Sequence, residues 1–142
     1  MKYKITSLKK EHITQELITV LSALSPTIHT VGLKQLVKTF ETRPKNIKTY
    51  VVISEKQIIG TVTLVIEKKF IHNCGKVAHL EDLVVSSQYR RQGIGAALIE
   101  HCIKEAKKQK CYKLILNCTK ELKTYYKKCG LHKSAIQMRV DI

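Results

Sequence analysis

Between the apolar run at residues 79–85 and an amphipathic segment opening at Ala96, the chain carries Arg90, Arg91, Gln92, Gly93, Ile94, Gly95 and Ala96. Strand, glycine-bearing turn and helix, in that order, build an anion cradle. Glycines at 93 and 95 let the backbone turn tightly and bring its N–H groups against a ligand with no Cβ in the way. The helix that follows adds unpaired N–H donors and the positive end of its dipole, a setting that suits a diphosphate. A Walker loop would need Lys-Ser or Lys-Thr after the last glycine, and a dinucleotide fingerprint a third spaced glycine. Neither is present. A Gly-x-Gly pair alone marks no more than a loop before a helix, so its neighbours decide its meaning.

Periodicity organises those neighbours. Residues 3–7 read as a strand, and 11–24 as a helix with Ile13, Leu17, Val20, Leu21 and Leu24 on one face, ended by Ser25 and Pro26. Residues 31–40 form a second, shorter helix, and 42–46 a polar link. Strands are expected at 50–54 and 58–68, a hairpin around Glu55, Lys56 and Gln57, and at 76–85. A helix at 97–108 sets Ile99, Cys102, Ile103 and Ala106 toward the core. A buried strand at 112–117, a short helix at 120–128 and a last strand at 134–140 complete the chain. This order predicts an α/β fold, a mixed β-sheet flanked by helices on both faces, in a single domain over residues 1–142.

Composition narrows the partners. No stretch reaches the roughly 18 apolar residues of a membrane span, and residues 1–4 lead into no signal-peptide core. A soluble, cytoplasmic protein with no membrane partner is expected. Five cysteines, Cys74, Cys102, Cys111, Cys118 and Cys129, are an odd number with no Cys-x-x-Cys pair. They predict reduced thiols, no disulfide framework and no metal. The formal net charge of +15 raises nucleic acid as a partner. However, Lys107, Lys108, Lys110, Lys127 and Lys128 stand where they complement helix C-termini, and six Tyr and two Phe without Trp offer little stacking surface. No nucleic-acid partner is expected; the charge fits steering of anionic small molecules.

Before the cradle come Ala78, His79, Leu80, Glu81, Asp82, Leu83, Val84 and Val85; after it come residues 111–118 (CYKLILNC) and 124–131 (TYYKKCGL). With Arg90-x-x-Gly93-x-Gly95, these segments resemble the GNAT superfamily of acetyl-CoA-dependent N-acetyltransferases. The Glu81-Asp82 strand, the run Lys69, Phe70, Ile71, His72 and the Cys-Tyr-Lys strand together resemble its glucosamine-6-phosphate N-acetyltransferase subfamily, over about residues 61–138. The resemblance implies a homodimer that moves the acetyl group of acetyl-CoA to the amine of glucosamine 6-phosphate by direct attack. The product, N-acetylglucosamine 6-phosphate, would lie on the route to UDP-N-acetylglucosamine.

The resemblance also implies site residues. Arg90, Arg91, Gln92, Gly93, Ile94, Gly95 and Ala96 would hold the coenzyme diphosphate. Leu83, Val84 and Val85 would offer backbone N–H groups from a bulged strand to the thioester carbonyl, a donor of that kind contributing about 2.7–4 kcal/mol. Tyr126, nine residues after Asn117 and three before Cys129, would stand beside the coenzyme sulfur as general acid, with Tyr125 an ordinary interfacial tyrosine. Glu81 would contact the sugar or a water serving as base, with Asp82 and Leu83 beside it. Adjacent strand positions point to opposite faces, so Glu81 and Asp82 are not expected to pair. Ser22, Lys69, Phe70, Ile71, His72, Asn117, Cys118 and Arg139 would contact the sugar phosphate.

Three positions depart from the pattern. Asn117 stands where the subfamily has a carboxylate, and an amide hydrogen-bonds an ammonium without holding its charge. Asp141 stands where it has a phosphate-gripping arginine; Arg139, two residues earlier, would keep the same strand face. Ala96 replaces a polar residue and leaves only backbone donors. Asn117 and Asp141 keep a peptide or protein N-acetyltransferase open as a second reading, since fold and cofactor loop do not specify the acceptor. A basic nucleic-acid-binding module is the third.

Overall fold

The computed structural model describes residues 1–142. Five strands form one sheet in sequence order: β1 (Lys4–Ser7), β2 (Ile47–Ser54), β3 (Gln57–Lys68), β4 (Lys76–Val85) and β5 (Cys111–Ile115). The first four pair antiparallel, and β5 runs parallel to β4. Residues 58–64 of β3 are all buried, as suits β-branched side chains on a pleated surface covered from both sides.

That cover comes from helices on both faces. On one face α1 (Gln15–Leu21) and α2 (Leu33–Thr42) bring Leu17, Val20, Leu36 and Phe40 onto Val51, Ile58 and Val84. α3 (Ile71–Cys74) is one turn between β3 and β4. On the other face α4 (Ile94–Lys108) lays Ile94, Leu98, Ile99, Cys102 and Ala106 across Val52, Val62, Leu64, Ala78 and Leu80. Each fully buried Leu or Ile there contributes about 1.5–3 kcal/mol. α5 (Lys123–Lys128) follows β5. The mixed sheet with helices on both faces agrees with the expectation, and no helix is long and apolar enough to cross a membrane.

Several local expectations need correction. The helix expected at 11–24 is shortened to α1, with a 3₁₀ turn (Lys10–His12) ahead of it, and the Pro26 expected to end it opens another 3₁₀ turn (Pro26–Thr30). α4 starts at Ile94, three residues before the expected position, because Gly93 caps it in the left-handed region (φ 81°) and Ile94 is itself a core residue. The strand expected to be buried at 112–117 is β5, shorter and with an open outer edge that leaves Tyr112 and Ile115 exposed. An apolar run does not report whether both sides are covered. The strand expected at 134–140 does not form. The last backbone hydrogen bond of the chain joins Leu131 N–H to Tyr126 O, and a strand without a partner has no ladder to hold it.

The cysteines are all free thiols. Burial pushes the Cys102 thiol up to about 12, with Glu105 adding to it, whereas Cys74 and Cys118 are exposed. A thiol-reactive dye should therefore label Cys74 and Cys118 quickly and Cys102 only after denaturant is added. Rapid labelling of Cys102 in the folded protein would contradict this packing.

Candidate functional site

β4 and β5 pair only from Lys76 with Cys111 to His79 with Ile115. Beyond that they part, and the edge of β4 from Leu80 to Val85 has no strand beside it. Within this stretch Asp82 adopts φ 51°, and the β3–β4 register runs from Thr61 with Val84 to Thr63 with Glu81. Asp82 and Leu83 thus oppose the single residue Val62, which is a β-bulge. The bulge changes which way side chains point. Glu81 shares a face with its partner Thr63, and Thr63 and Asp82 line the same hollow below α1 and α2. Both carboxylates therefore lie on one face, contrary to the strict alternation expected from adjacent positions. Leu83 and Val85 pack toward α4, and Val84 toward α1.

At the end of β4 the cradle is built almost wholly from backbone. None of the six consecutive amides from Arg91 to Ala96 donates to a protein acceptor; the first helical bond of α4 is Ala97 N–H to Gly93 O. Arg91 (φ 62°) and Gly93 (φ 81°) turn the loop so that these donors gather ahead of the helix. Arg90 ties the loop down, its Nε donating to Val85 O at 3.0 Å. α5 leans over this turn: a Cβ on Gly95 would fall 2.5 Å from the Tyr125 hydroxyl oxygen and 3.9 Å from Val85 Cγ2. Tyr125 is thus a wall of the cradle. Tyr126, its ring 5.2 Å from that of Tyr125, is half-buried against the same core as Leu83 and Val85. Burial raises its phenol above the usual range, with Cys118 and Cys129 adding to the shift.

The sheet face below α1 and α2 carries a second polar group. A hollow of about 190 Å³ has Leu17, Leu21, Leu36 and Phe40 on its helical side and Thr61, Thr63 and Asp82 on the sheet. Arg43 donates to the Thr49 hydroxyl at 2.8 Å, which meets the Thr63 hydroxyl at 2.9 Å. Burial lowers the Arg43 guanidinium and the charge of Asp82 offsets part of that. Further along, Glu67 accepts from Lys69 Nζ at 2.6 Å and lies 2.8 Å from His79 Nε2. Those two bonds, Lys69 first, hold its carboxyl below the usual range. His79 and Glu81 are two apart before the bulge, so this chain of polar groups runs toward Glu81 on one face.

An open strand edge and a row of free amides at a helix start accommodate an extended ligand with a diphosphate. Comparison with known proteins agrees: residues 15–131 match the acetyltransferase (GNAT) family model. The chain belongs to the GNAT family. It is 40% identical over 108 residues to a glucosamine 6-phosphate N-acetyltransferase of Arabidopsis thaliana, covering 70% of this chain and 72% of that one. A Candida albicans enzyme of the same name is 31% identical over 139 residues, 96% of this chain and 91% of that one. The crystal structure of glucosamine-6-phosphate N-acetyltransferase from Arabidopsis thaliana superposes with a TM-score of 0.92 at 33% identity, covering 99% of both chains. Acetyl-CoA is the co-substrate of GNAT acetyltransferases, and the cradle amides suit its diphosphate.

In this GNAT chain the expected residues fall into three groups. Residues 90–96 gather at the cradle with Val85, and Tyr126 beneath it. Lys69, Glu81 and Asp82 share the sheet face, although Lys69 is already engaged by Glu67. The rest stand apart. The Ser22 hydroxyl, at the C-terminal cap of α1, donates to Thr19 O at 2.7 Å, Phe70 and Ile71 project from the β3–β4 turn, and the His72 ring lies tilted against Tyr112 at 4.4 Å. Asn117 and Cys118 lie exposed past the end of β5, with Cys118 close enough to influence Tyr126. Arg139 pairs with Asp141 in the exposed tail, so the strand geometry expected to carry it to the phosphate is absent. The sequence assigns no role to Glu67, His79 or Arg43 and only an ordinary interfacial one to Tyr125; for Glu67 and His79 the available signal is their two-residue spacing from Lys69 and Glu81.

Proposed function

We propose that this GNAT domain transfers the acetyl group of acetyl-CoA to the amine of glucosamine 6-phosphate, giving N-acetylglucosamine 6-phosphate and CoA. The six unpaired amides at residues 91–96 are the observation that carries the reading, and relatives of that name across more than two thirds of the chain supply the acceptor. The cradle backbone holds the diphosphate, with Arg90 and Gln92 at its rim, and the open edge of β4 directs the thioester toward the bulge. There the N–H groups around Leu83, Val84 and Val85 receive the carbonyl oxygen as the amine nitrogen attacks and the oxygen takes up negative charge. Glu81, through a water, accepts the proton the amine loses. Tyr126 donates its phenolic proton to the sulfur as the C–S bond breaks. Asp82 orients the sugar and Lys69 turns from Glu67 to answer its phosphate; Arg139 joins it only where residues 134–140 pair as a strand with a second copy.

We further infer one cytoplasmic domain that works as a homodimer. The exposed Phe70 and Ile71 of the β3–β4 turn, and the alternating Ile136, Met138, Val140 and Ile142 of the tail, are apolar surface that a second copy would cover. A partner strand would give residues 134–140 the ladder they lack.

Free-thiol release from acetyl-CoA tests the acceptor directly, with glucosamine 6-phosphate, unphosphorylated glucosamine and a lysine-bearing peptide offered in parallel. The phosphorylated sugar should be preferred at least about tenfold in kcat/KM, the yield of about 1.4 kcal/mol of phosphate contact. Turnover of the peptide alone would replace the sugar with a protein acceptor.

A further inference from the structure

A concavity of about 360 Å³ opens at the end of the molecule away from the cradle, where β4 begins and α4 ends. The fifteen residues of α4 rise about 1.5 Å each, so roughly 22 Å of helix separates the two places. Lys45, Lys48, Lys68 and Lys76 line the concavity, from the α2–β2 link and three neighbouring strands, and no carboxylate lines it. None of the four has an acidic partner within ion-pair distance; the lysine ion pairs of this chain are made by Lys9, Lys10, Lys69, Lys104 and Lys108.

The arrangement is unfavourable by itself. Lys68 and Lys76 are direct partners across β3 and β4, and like charges facing each other destabilise an antiparallel ladder. Glu105, the acid that feels Lys48, is already held by Lys108. The negative end of the α4 dipole points this way, and Lys107 and Lys108 in its last turn offset it. The Asn46 side-chain amide donates to Ile66 O, and Ile66 is the only apolar residue in the lining. Recognition here would rest on charge.

We propose that this pocket binds a small polyanion with two or more linked phosphate groups, at a site separate from the one that holds acetyl-CoA. A single phosphate group carries a charge of about −1.5 to −2 at neutral pH and leaves half of the lysine charge unanswered. A diphosphate matches four lysines.

Inorganic pyrophosphate titrated by calorimetry into the full chain, with CoA saturating the cradle and ionic strength fixed by chloride, tests this. One site should appear. In Lys68→Gln/Lys76→Gln its affinity should fall at least about tenfold while CoA affinity holds. Lys48→Gln should weaken it on its own. Without pyrophosphate the double variant should melt above the parent, since its facing charges are gone. No heat with CoA bound, equal affinity in the double variant, or binding of a long polyanion such as heparin but not of pyrophosphate would each overturn the proposal.

Discussion

Replacing Tyr126 with phenylalanine is expected to lower kcat by about ten- to a hundredfold and to leave acetyl-CoA affinity within about twofold, because general-acid assistance is the one thing removed. The ring packs against the core with Leu83, Val85 and Cys129, and phenylalanine keeps those contacts. Only the oxygen goes. Burial, reinforced by Cys118 and Cys129, holds this phenol above its ordinary range, so it is protonated across the neutral range and ready to meet a departing thiolate. Loss of that proton should matter less as the leaving thiol becomes less basic. An acetyl thioester of a more acidic thiol should accordingly recover part of the lost rate, and steady-state thiol release measures both. A kcat equal to the parent's would remove Tyr126 from the chemistry. Reduced acetyl-CoA affinity with unchanged kcat would make it a packing residue.

What the sequence made legible was local chemistry. The cradle could be read because two glycines at 93 and 95, a preceding strand and a following helix specify donors that depend on no distant residue. The start of α4 was misplaced for a related reason. Apolar periodicity begins to repeat at Ala97, whereas the helix begins where Gly93 turns left-handed and Ile94 enters the core. Glu81 and Asp82 show a different limit. Alternation along a strand holds only while the ladder is regular; the resemblance implies a bulge in this strand, but nothing in the residue types beyond the tolerance of Asp for positive φ places it at Asp82, where it turns both carboxylates toward one face. Pairs set by register are equally silent. Glu67 meets His79, and Lys68 faces Lys76, only once β3 and β4 are aligned. The tail keeps its period-two pattern of Ile136, Met138 and Val140, but that pattern cannot supply a partner strand.

Gly95→Ala is expected to destabilise the protein by about 1–3 kcal/mol through overpacking and to weaken acetyl-CoA about tenfold or more, even though alanine is the better helix former. A Cβ at position 95 would fall 2.5 Å from the Tyr125 oxygen, closer than non-bonded atoms come, and the phenol must swing away or the first turn of α4 must shift. Either movement disturbs the amides from Arg91 to Ala96. The opposing helix propensity is worth at most about 1 kcal/mol, so the clash decides the sign. Deleting the oxygen reverses that balance. With Tyr125→Phe the next ring atom stands 3.6 Å from the new Cβ, an ordinary contact. In that background Gly95→Ala should be neutral or stabilising, and the double-mutant cycle should show a coupling of about 1–3 kcal/mol. Thermal melts of the four proteins, with acetyl-CoA calorimetry on each, measure it. Gly93→Ala provides the contrast: no atom lies within 4 Å of its Cβ position, and φ 81° makes its penalty one of backbone strain, about 1–2 kcal/mol, which Tyr125→Phe cannot relieve. If Gly95→Ala is as damaging with phenylalanine at position 125 as with tyrosine, the hydroxyl does not approach the cradle, and α5 does not form its wall.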